Sequence, residues 1–249
     1  MEQQEYKNIF ENEESHFFYV ANHKILLTLL ERYLNKHPQH KKVKILDAGC
    51  GTGLLAKRLQ QYGKVYGVDM SKYALAFSKK RNVDITGSSI VHLPFKKNKF
   101  GVIMVIDVLY HKKIRDDISA LKELYRVLTP GGVLILRVAA YKWLKLSHDL
   151  YVHTRERYNK QELEDKLKSI GFIVDKISFV NFSLLPFTII KHLIEKIEPH
   201  KKPASSIHKV PWLINKVLTV LLSLESGIIL RSSLPIGLGL IAVCTKSDE

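Results

Sequence analysis

The sequence predicts a doubly wound α/β fold, a mainly parallel sheet with helices on both faces. Three observations carry this. The strand-length runs "VKILDA" (43–48), "KVYGVD" (64–69), "FGVIMVIDV" (100–108) and "VLILRVAA" (133–140) are almost continuously apolar, as strands buried on both faces are. Segments of helical periodicity separate them. The first strand runs into "DAGCGTG", with glycine at 49, 51 and 53, and a glycine-rich turn between strand and helix is a place where backbone approaches a ligand.

In chain order, "EESHFFYVANHKILLTLLERY" leads into an amphipathic helix, so 1–40 is expected to form an N-terminal helical cap. "LLAKRLQQYG" (54–63) reads as a helix closed by Gly63, and "SKYALAFSKKR" as one capped by Ser71. "VDITGSS" is a short strand, and "LPFKKNK" a turn before the fourth strand. The helix "RDDISALKELYRVL" (115–128) stops at "TPGG", which cannot continue it. "NKQELEDKLKSIG" (159–171) ends at a glycine, "FIVDKISFV" is a strand, and "GLGLIAVCTK" closes the chain. Between the last two strands, "LLPFTIIKHLIEKI" and "PWLINKVLTVLLSLE" read as amphipathic helices of an insertion over 181–234. The whole of 1–249 is expected to be a single domain, with that insertion covering one side of it.

A chain of 249 residues, 46% hydrophobic, can bury a substantial core. The opening "MEQQEYKNIFENEESHFF" has neither a basic nor an apolar signal region, and the expected location is the cytoplasm. The late apolar stretch is broken by Lys216, Glu225, Arg231 and Pro235, short of the roughly 18–20 apolar residues of a membrane span. Cys50 and Cys244 make neither a disulfide framework nor a zinc site. The net charge of +15 is spread over pairs such as Lys41-Lys42, Lys79-Lys80, Lys96-Lys97, Lys112-Lys113 and Lys201-Lys202. That pattern favours a solvated surface over a nucleic-acid footprint, and leaves attraction to anionic lipid or a phosphorylated substrate open.

The glycine loop discriminates between cofactors. A dinucleotide loop reads G-x-G-x-x-G and holds a pyrophosphate at the helix N-terminus. Here Leu54 stands at the third glycine position, and Asp47 would set a negative charge beside any phosphate. S-adenosylmethionine has no phosphate and carries a sulfonium and an ammonium, which Asp47 attracts. Asp69, at the end of the second strand, is placed to accept both ribose hydroxyls; capping of the next helix is the plainer alternative.

With "DAGCGTG", "VYGVDMS" and "LYRVLTPGGVLIL" at this spacing, the chain resembles the class I S-adenosylmethionine-dependent methyltransferases over nearly its whole length. The resemblance implies a Rossmann-like seven-stranded sheet with an antiparallel last strand, here 237–245. It implies S-adenosylmethionine as cofactor, held by Asp47, Gly49, Gly51, Gly53, Asp69 and Met70, with Cys50 in the same loop. It further implies adenine contacts at Ser88 and Ser89 and backbone contacts near Asp107 and Val108. Cys50 itself reads as a small residue in a tight turn, because a sulfonium already activates the methyl group. Gly101 replaces a common aspartate, and Tyr110 precedes His111 where a glutamate is common.

"ESHFF", "HDLYVHTRERY", "NFSLLP" and "LPIGLGLIAVCTK" narrow the resemblance to the type 11 branch of small-molecule methyltransferases. Expected acceptor residues are His16 and Phe18 near the start, and His148, Asp149, His153 and Arg157 after the fifth strand. In the same segments, Arg155 or Arg157 could grip a carboxylate or phosphate; loop pinning by this His/Arg/Tyr cluster is the structural alternative. His111, after the fourth strand, is the expected catalytic base. No metal is expected: on a helix, His148 and His153 are five apart and splay from one face.

The expected function is methyl transfer to the oxygen or nitrogen of a small-molecule or lipid-like acceptor, with nucleic acid disfavoured and peripheral contact with a membrane open. An RNA methyltransferase shares the fold, but "DVLYH" stands where enzymes acting on base amines carry D/N-P-P-aromatic. A non-catalytic S-adenosylmethionine-binding module is the alternative from another class. The insertion over 181–234 is expected to cover the acceptor side; packing on the sheet competes with a lid over an apolar acceptor and with a patch resting on a membrane.

Overall fold

A computed structural model describes residues 1–37, 43–197, 205 and 207–247. Lys41-Lys42, Lys201-Lys202 and residues 38–40 of the expected cap lie outside these, as do 198–204 and 206 of the insertion.

Seven strands form one sheet: β1 (Val43–Ala48), β2 (Gly63–Asp69), β3 (Ile85–Gly87), β4 (Phe100–Ile106), β5 (Leu128–Ala139), β6 (Phe172–Val180) and β7 (Gly239–Lys246). Their order is β3-β2-β1-β4-β5-β7-β6. β1 to β5 pair in parallel, and β7 runs antiparallel between β5 and β6. This is the seven-stranded Rossmann-like sheet with an antiparallel last strand.

Period-two alternation splits the buried strands between two cores. Leu46, Ile103, Val105, Leu134 and Leu136 face α5 (Asp117–Val127) and α7 (Lys160–Ile170). Ile45, Val102, Met104, Val133 and Ile135 face α2 (Phe17–Lys36), α3 (Leu54–Leu59) and α9 (Trp212–Arg231). Each fully buried leucine, isoleucine or valine is worth about 1.5–3 kcal/mol, so the apolar runs drive the layering.

Several boundaries differ from the sequence reading: β4 ends at Ile106, β7 spans Gly239–Lys246 rather than 237–245, and two others have a clear steric or pairing cause. Gly63 does not close a helix: α3 ends at Leu59, and Gly63 opens β2. A Cβ there would lie 2.0 Å from the Val43 carbonyl oxygen, so the strands meet only where a side chain is absent. The "TPGG" segment does end α5, but it is already part of β5. Leu128 pairs with Phe100, the register shifts, and pairing resumes at Val102 and Val133.

Around this frame lie α1 (Gln3–Asn12), α4 (Lys72–Lys79), α6 (Ser147–Tyr151) and α8 (Leu185–Ile197). α1 packs on α4 through Phe10 and Phe77, whose rings are 4.8 Å apart. α9 lies along α2 and is tied to the end of β6 by Glu225, which accepts from the Asn181 and Ser183 amides at 2.7 and 3.1 Å. Lys216 and Glu225 interrupt its apolar run in sequence. The folded segment is nevertheless one continuous 20-residue helix, by length and composition alone sufficient to cross a membrane.

Candidate active site

The carboxyl ends of β1, β2, β4 and β5 open into a cavity of about 630 Å³, roofed by α1, the start of α2, α6 and α8. Ligands collect at this edge of an open α/β sheet because the loops diverge there.

The glycine loop forms its floor. Gly49, Gly51 and Gly53 all have positive φ, at 85°, 54° and 83°. At Gly49 an added Cβ would sit 2.1 Å from Val108 Cγ2, so the turn is pressed against the β4 loop. At Gly51 an added Cβ meets nothing within 4 Å: this glycine faces open space and leaves its backbone exposed to a ligand. Asp69 crosses from β2 to hold the loop. Its Oδ2 accepts the Gly51 amide at 3.0 Å and its Oδ1 the Ser71 amide at 2.8 Å. The carboxylate keeps lone-pair capacity for a further donor. Ser71 caps α4, as expected, accepting from the Tyr73 amide.

Asp47 is buried, and among the described residues its Oδ2 has no hydrogen-bond partner. Burial, with Asp69 nearby, pushes its pKa up to about 7. A buried carboxylate oxygen without a donor is costly, and a ligand cation would satisfy it. The Asp47 oxygen, the open side of Gly51 and the Asp69 carboxylate together fit a ligand with a cationic end and a diol, which describes S-adenosylmethionine. Burial raises the Cys50 thiol far above its ordinary value, so it is inert as a nucleophile.

Met70, Ser88, Ser89, Asp107 and Val108 line the same cavity. The Ser88 hydroxyl donates to the His92 carbonyl at 2.7 Å. Asp107, at φ 59°, is paired with Arg137 of β5. Gly53 is outside the cavity; it starts α3 against Ser78, whose Oγ lies 2.9 Å from its missing Cβ.

Of the expected acceptor residues, His16, Phe18, His111, His148, Asp149 and Arg157 line the cavity, although they span most of the sequence. His153 does not: it sits at the rim with φ 60°, its Nε2 3.0 Å from Glu2 Oε1 and its ring 5.8 Å from that of His111. His16 caps α2, its Nδ1 accepting from the Phe18 amide at 3.3 Å. His111 Nδ1 accepts the Lys113 amide at 3.2 Å, and burial plus surrounding positive charge lower its pKa to about 4.

The two arginines expected to grip an anion are already committed. Arg157 is buried in a bidentate pair with Asp149, both oxygens at 3.0 Å, and donates to the Ala140 carbonyl at 3.1 Å. Arg155 is paired with Asp117 and Glu156. Tyr158 is fully buried away from the cavity and donates to Asp117 at 2.7 Å. A compact loop must neutralise its buried charges internally, so these residues pin 147–158 to the sheet. Among the described residues no set of three His, Cys, Asp or Glu side chains stands together as a metal site.

Other cavity residues escaped the sequence reading. Arg137 is buried, holds Asp107 and the Asn181 side chain, and stacks over Phe18 with 5.1 Å to the ring centroid. Its signal was available: it is the one charge inside the apolar run of β5. Glu13 is buried between Thr52 and Arg81, which also donates to the Thr52 carbonyl at 3.0 Å. That cluster couples the end of α1 to the glycine loop, and no local pattern announces it. Tyr6 comes from α1 to the same wall, and burial raises its pKa to about 12.

Sheet order, glycine loop and paired carboxylates define a Rossmann-like protein of the kind that binds S-adenosylmethionine. The profile of the methyltransferase domain family matches residues 46–136. An uncharacterized protein of Methanocaldococcus jannaschii is 31% identical over 192 residues, covering 73% of this chain and 78% of that protein. The demethylmenaquinone methyltransferase of Staphylococcus aureus is 32% identical over 120 residues, 45% of this chain and 49% of that one, so the chain spans about half the length of this curated relative. A solved S-adenosylmethionine-dependent methyltransferase of Thermotoga maritima superposes with a TM-score of 0.60 at 20% identity, covering 99% of this chain and 100% of that one; it shares the fold. The chain belongs to the class I S-adenosylmethionine-dependent methyltransferase family, type 11 branch, and its cofactor is S-adenosylmethionine.

Proposed function

We propose that this enzyme transfers the S-adenosylmethionine methyl group to an oxygen or nitrogen of a small, largely apolar or lipid-like acceptor. The observation that carries the reading is the acceptor wall of the cavity. Phe17, Phe18, Leu146, Val152, Leu184 and Phe187 contribute apolar surface to its lining, beside polar groups that include Arg137, Tyr110, His148, His111 and Lys191. Small-molecule sites have this make-up, and about 630 Å³ falls within their usual range. The Staphylococcus aureus relatives are named for a small-molecule acceptor, demethylmenaquinone, which supports the same class.

When bound, S-adenosylmethionine would supply an electrophilic methyl carbon: the acceptor lone pair forms the new bond, the methyl–sulfur pair returns to the sulfur, and the acceptor proton is released to water. The chain's part is orientation, which can contribute roughly 7–11 kcal/mol. Asp47 and Asp69 would fix the cofactor's cationic and ribose ends, and the aromatic wall would hold the acceptor in line. His111 suits positioning better than general base catalysis. Its Nδ1 is occupied by the Lys113 amide, and a pKa of about 4 makes it a weak base at neutral pH.

Labelled S-adenosylmethionine incubated with the enzyme and a cell extract tests the reading. Label is expected in the organic-soluble fraction. Label confined to RNA would overturn the acceptor class, and cofactor binding without any labelled product would leave a binding module.

A further inference from the structure

We propose that the outward faces of α8 and α9, with Trp143, form a surface that docks this protein on an anionic lipid bilayer. Both helices abut the short turn Phe182–Leu184, and Phe182 itself is exposed. On α9, Ile214, Val217, Leu221, Leu224 and Ile228 recur at alternating three- and four-residue spacing, all exposed. The opposite stripe, Leu222, Glu225, Ser226 and Ile229, is buried. On α8, Ile190, Leu193, Ile194 and Ile197 are exposed, the last to 81%, while Thr188 and Lys191 face the cavity. An apolar surface of this kind on a soluble fold marks an interaction site.

Charge and aromatic placement select the occupant. α8 and α9 carry two acidic residues, and both point inward: Glu195 accepts from the Ser147 amide and hydroxyl, and Glu225 from Asn181 and Ser183. Lys145, Lys196, Lys209, Lys216 and Arg231 are exposed on or beside the same elements. The chain has two tryptophans, and both are here, Trp143 55% and Trp212 73% exposed. Trp143 lies beside His192 of α8 with ring centroids 5.8 Å apart, and Lys216 lies 5.9 Å from the Trp212 ring. Apolar stripes with tryptophan and rim lysines match the headgroup boundary of a bilayer, and the negative surface of anionic lipid attracts the cations. A spanning geometry for α9 would strip its buried stripe from α2. Phe187 is exposed and also lines the cavity, so the site opens beside the docking face.

The test uses the full chain, without acceptor, so it is independent of the catalytic reading. Tryptophan emission is followed as vesicles of phosphatidylcholine with about one-third phosphatidylglycerol are added, alongside co-sedimentation at low and high salt. A blue shift with co-sedimentation is expected, weaker at high salt and on pure phosphatidylcholine. The variant L221S/L224S should bind these vesicles at least tenfold more weakly while retaining S-adenosylmethionine affinity and its circular dichroism spectrum. No binding to anionic vesicles at low salt would overturn the proposal. So would a stable dimer in solution that shields both tryptophans, which would assign the face to a second copy of the chain.

Discussion

Asp69 reaches from the end of β2 to the glycine loop after β1, its Oδ2 accepting the Gly51 amide at 3.0 Å. One carboxylate thus sets the loop's conformation and, with its remaining lone pairs, is the proposed ribose acceptor. Asp69→Ala removes both roles. Charge-assisted hydrogen bonds are worth about 1.5–3 kcal/mol each, so S-adenosylmethionine affinity should fall at least tenfold by titration calorimetry. Unchanged affinity would refute the assignment.

Asp47 should make cofactor binding depend on pH. Its carboxyl titrates near 7 in the folded protein against the usual 3.8. The raised value means its favourable contribution to stability is present below 3.8 and is lost as pH rises to about 7. A cation bound beside it favours the ionised form, so affinity should rise with pH up to about 7 and then level off. Calorimetry in buffers of different ionisation heat should register proton release on binding below pH 7. Asp47→Asn should abolish that dependence and raise the melting temperature of the free protein more at pH 8 than at pH 4.5.

Gly49 and Gly51 should fail differently. Gly49→Ala places a Cβ 2.1 Å from Val108 Cγ2 at φ 85° and should cost about 2–3 kcal/mol of stability, seen in urea denaturation. Gly51→Ala meets nothing within 4 Å. It should cost only about 1–2 kcal/mol, from its left-handed backbone, yet weaken the cofactor more than tenfold. Equal stability losses with equal affinity would show that the space beside Gly51 is not the cofactor's.

His111→Gln separates positioning from proton transfer. With a pKa of about 4, His111 is neutral throughout the physiological range. The variant should raise the acceptor KM while lowering kcat less than tenfold, and neither protein should show a rate inflection near pH 6.5. A large kcat loss that removes such an inflection from the native profile would restore the histidine as general base.

The Arg157–Asp149 pair holds the loop after β5. Arg157→Ala leaves a buried carboxylate without its cation and should cost about 3–5 kcal/mol, read as a lower denaturation midpoint. Arg157→Met with Asp149→Leu should recover most of it. Failure of the double variant to recover would mean the loop needs this charge pair specifically.

The fold was legible because its determinants are local and repeated. Apolar strands, helix stops at Gly171 and "TPGG", the Ser71 cap and the glycine loop are each fixed by backbone sterics or burial within a few residues. The same holds for Asp47 and Asp69, which topology alone delivers to the ends of β1 and β2. Whether a polar side chain is available to a ligand is decided by what lies across from it in space. Arg157 and Arg155 read as anion grips until Asp149 and Asp117 are seen to neutralise them, and Glu13, Arg81 and Thr52 meet from three separate segments. Amphipathic spacing likewise identified α8 and α9 as helices with an apolar face. Only the packing of α9 on α2, which leaves Leu222 and Ile229 buried, decided which stripe is consumed by the fold and which is left to solvent. Sequence periodicity counts apolar residues around a helix; the tertiary structure supplies the partner that covers some of them and not others.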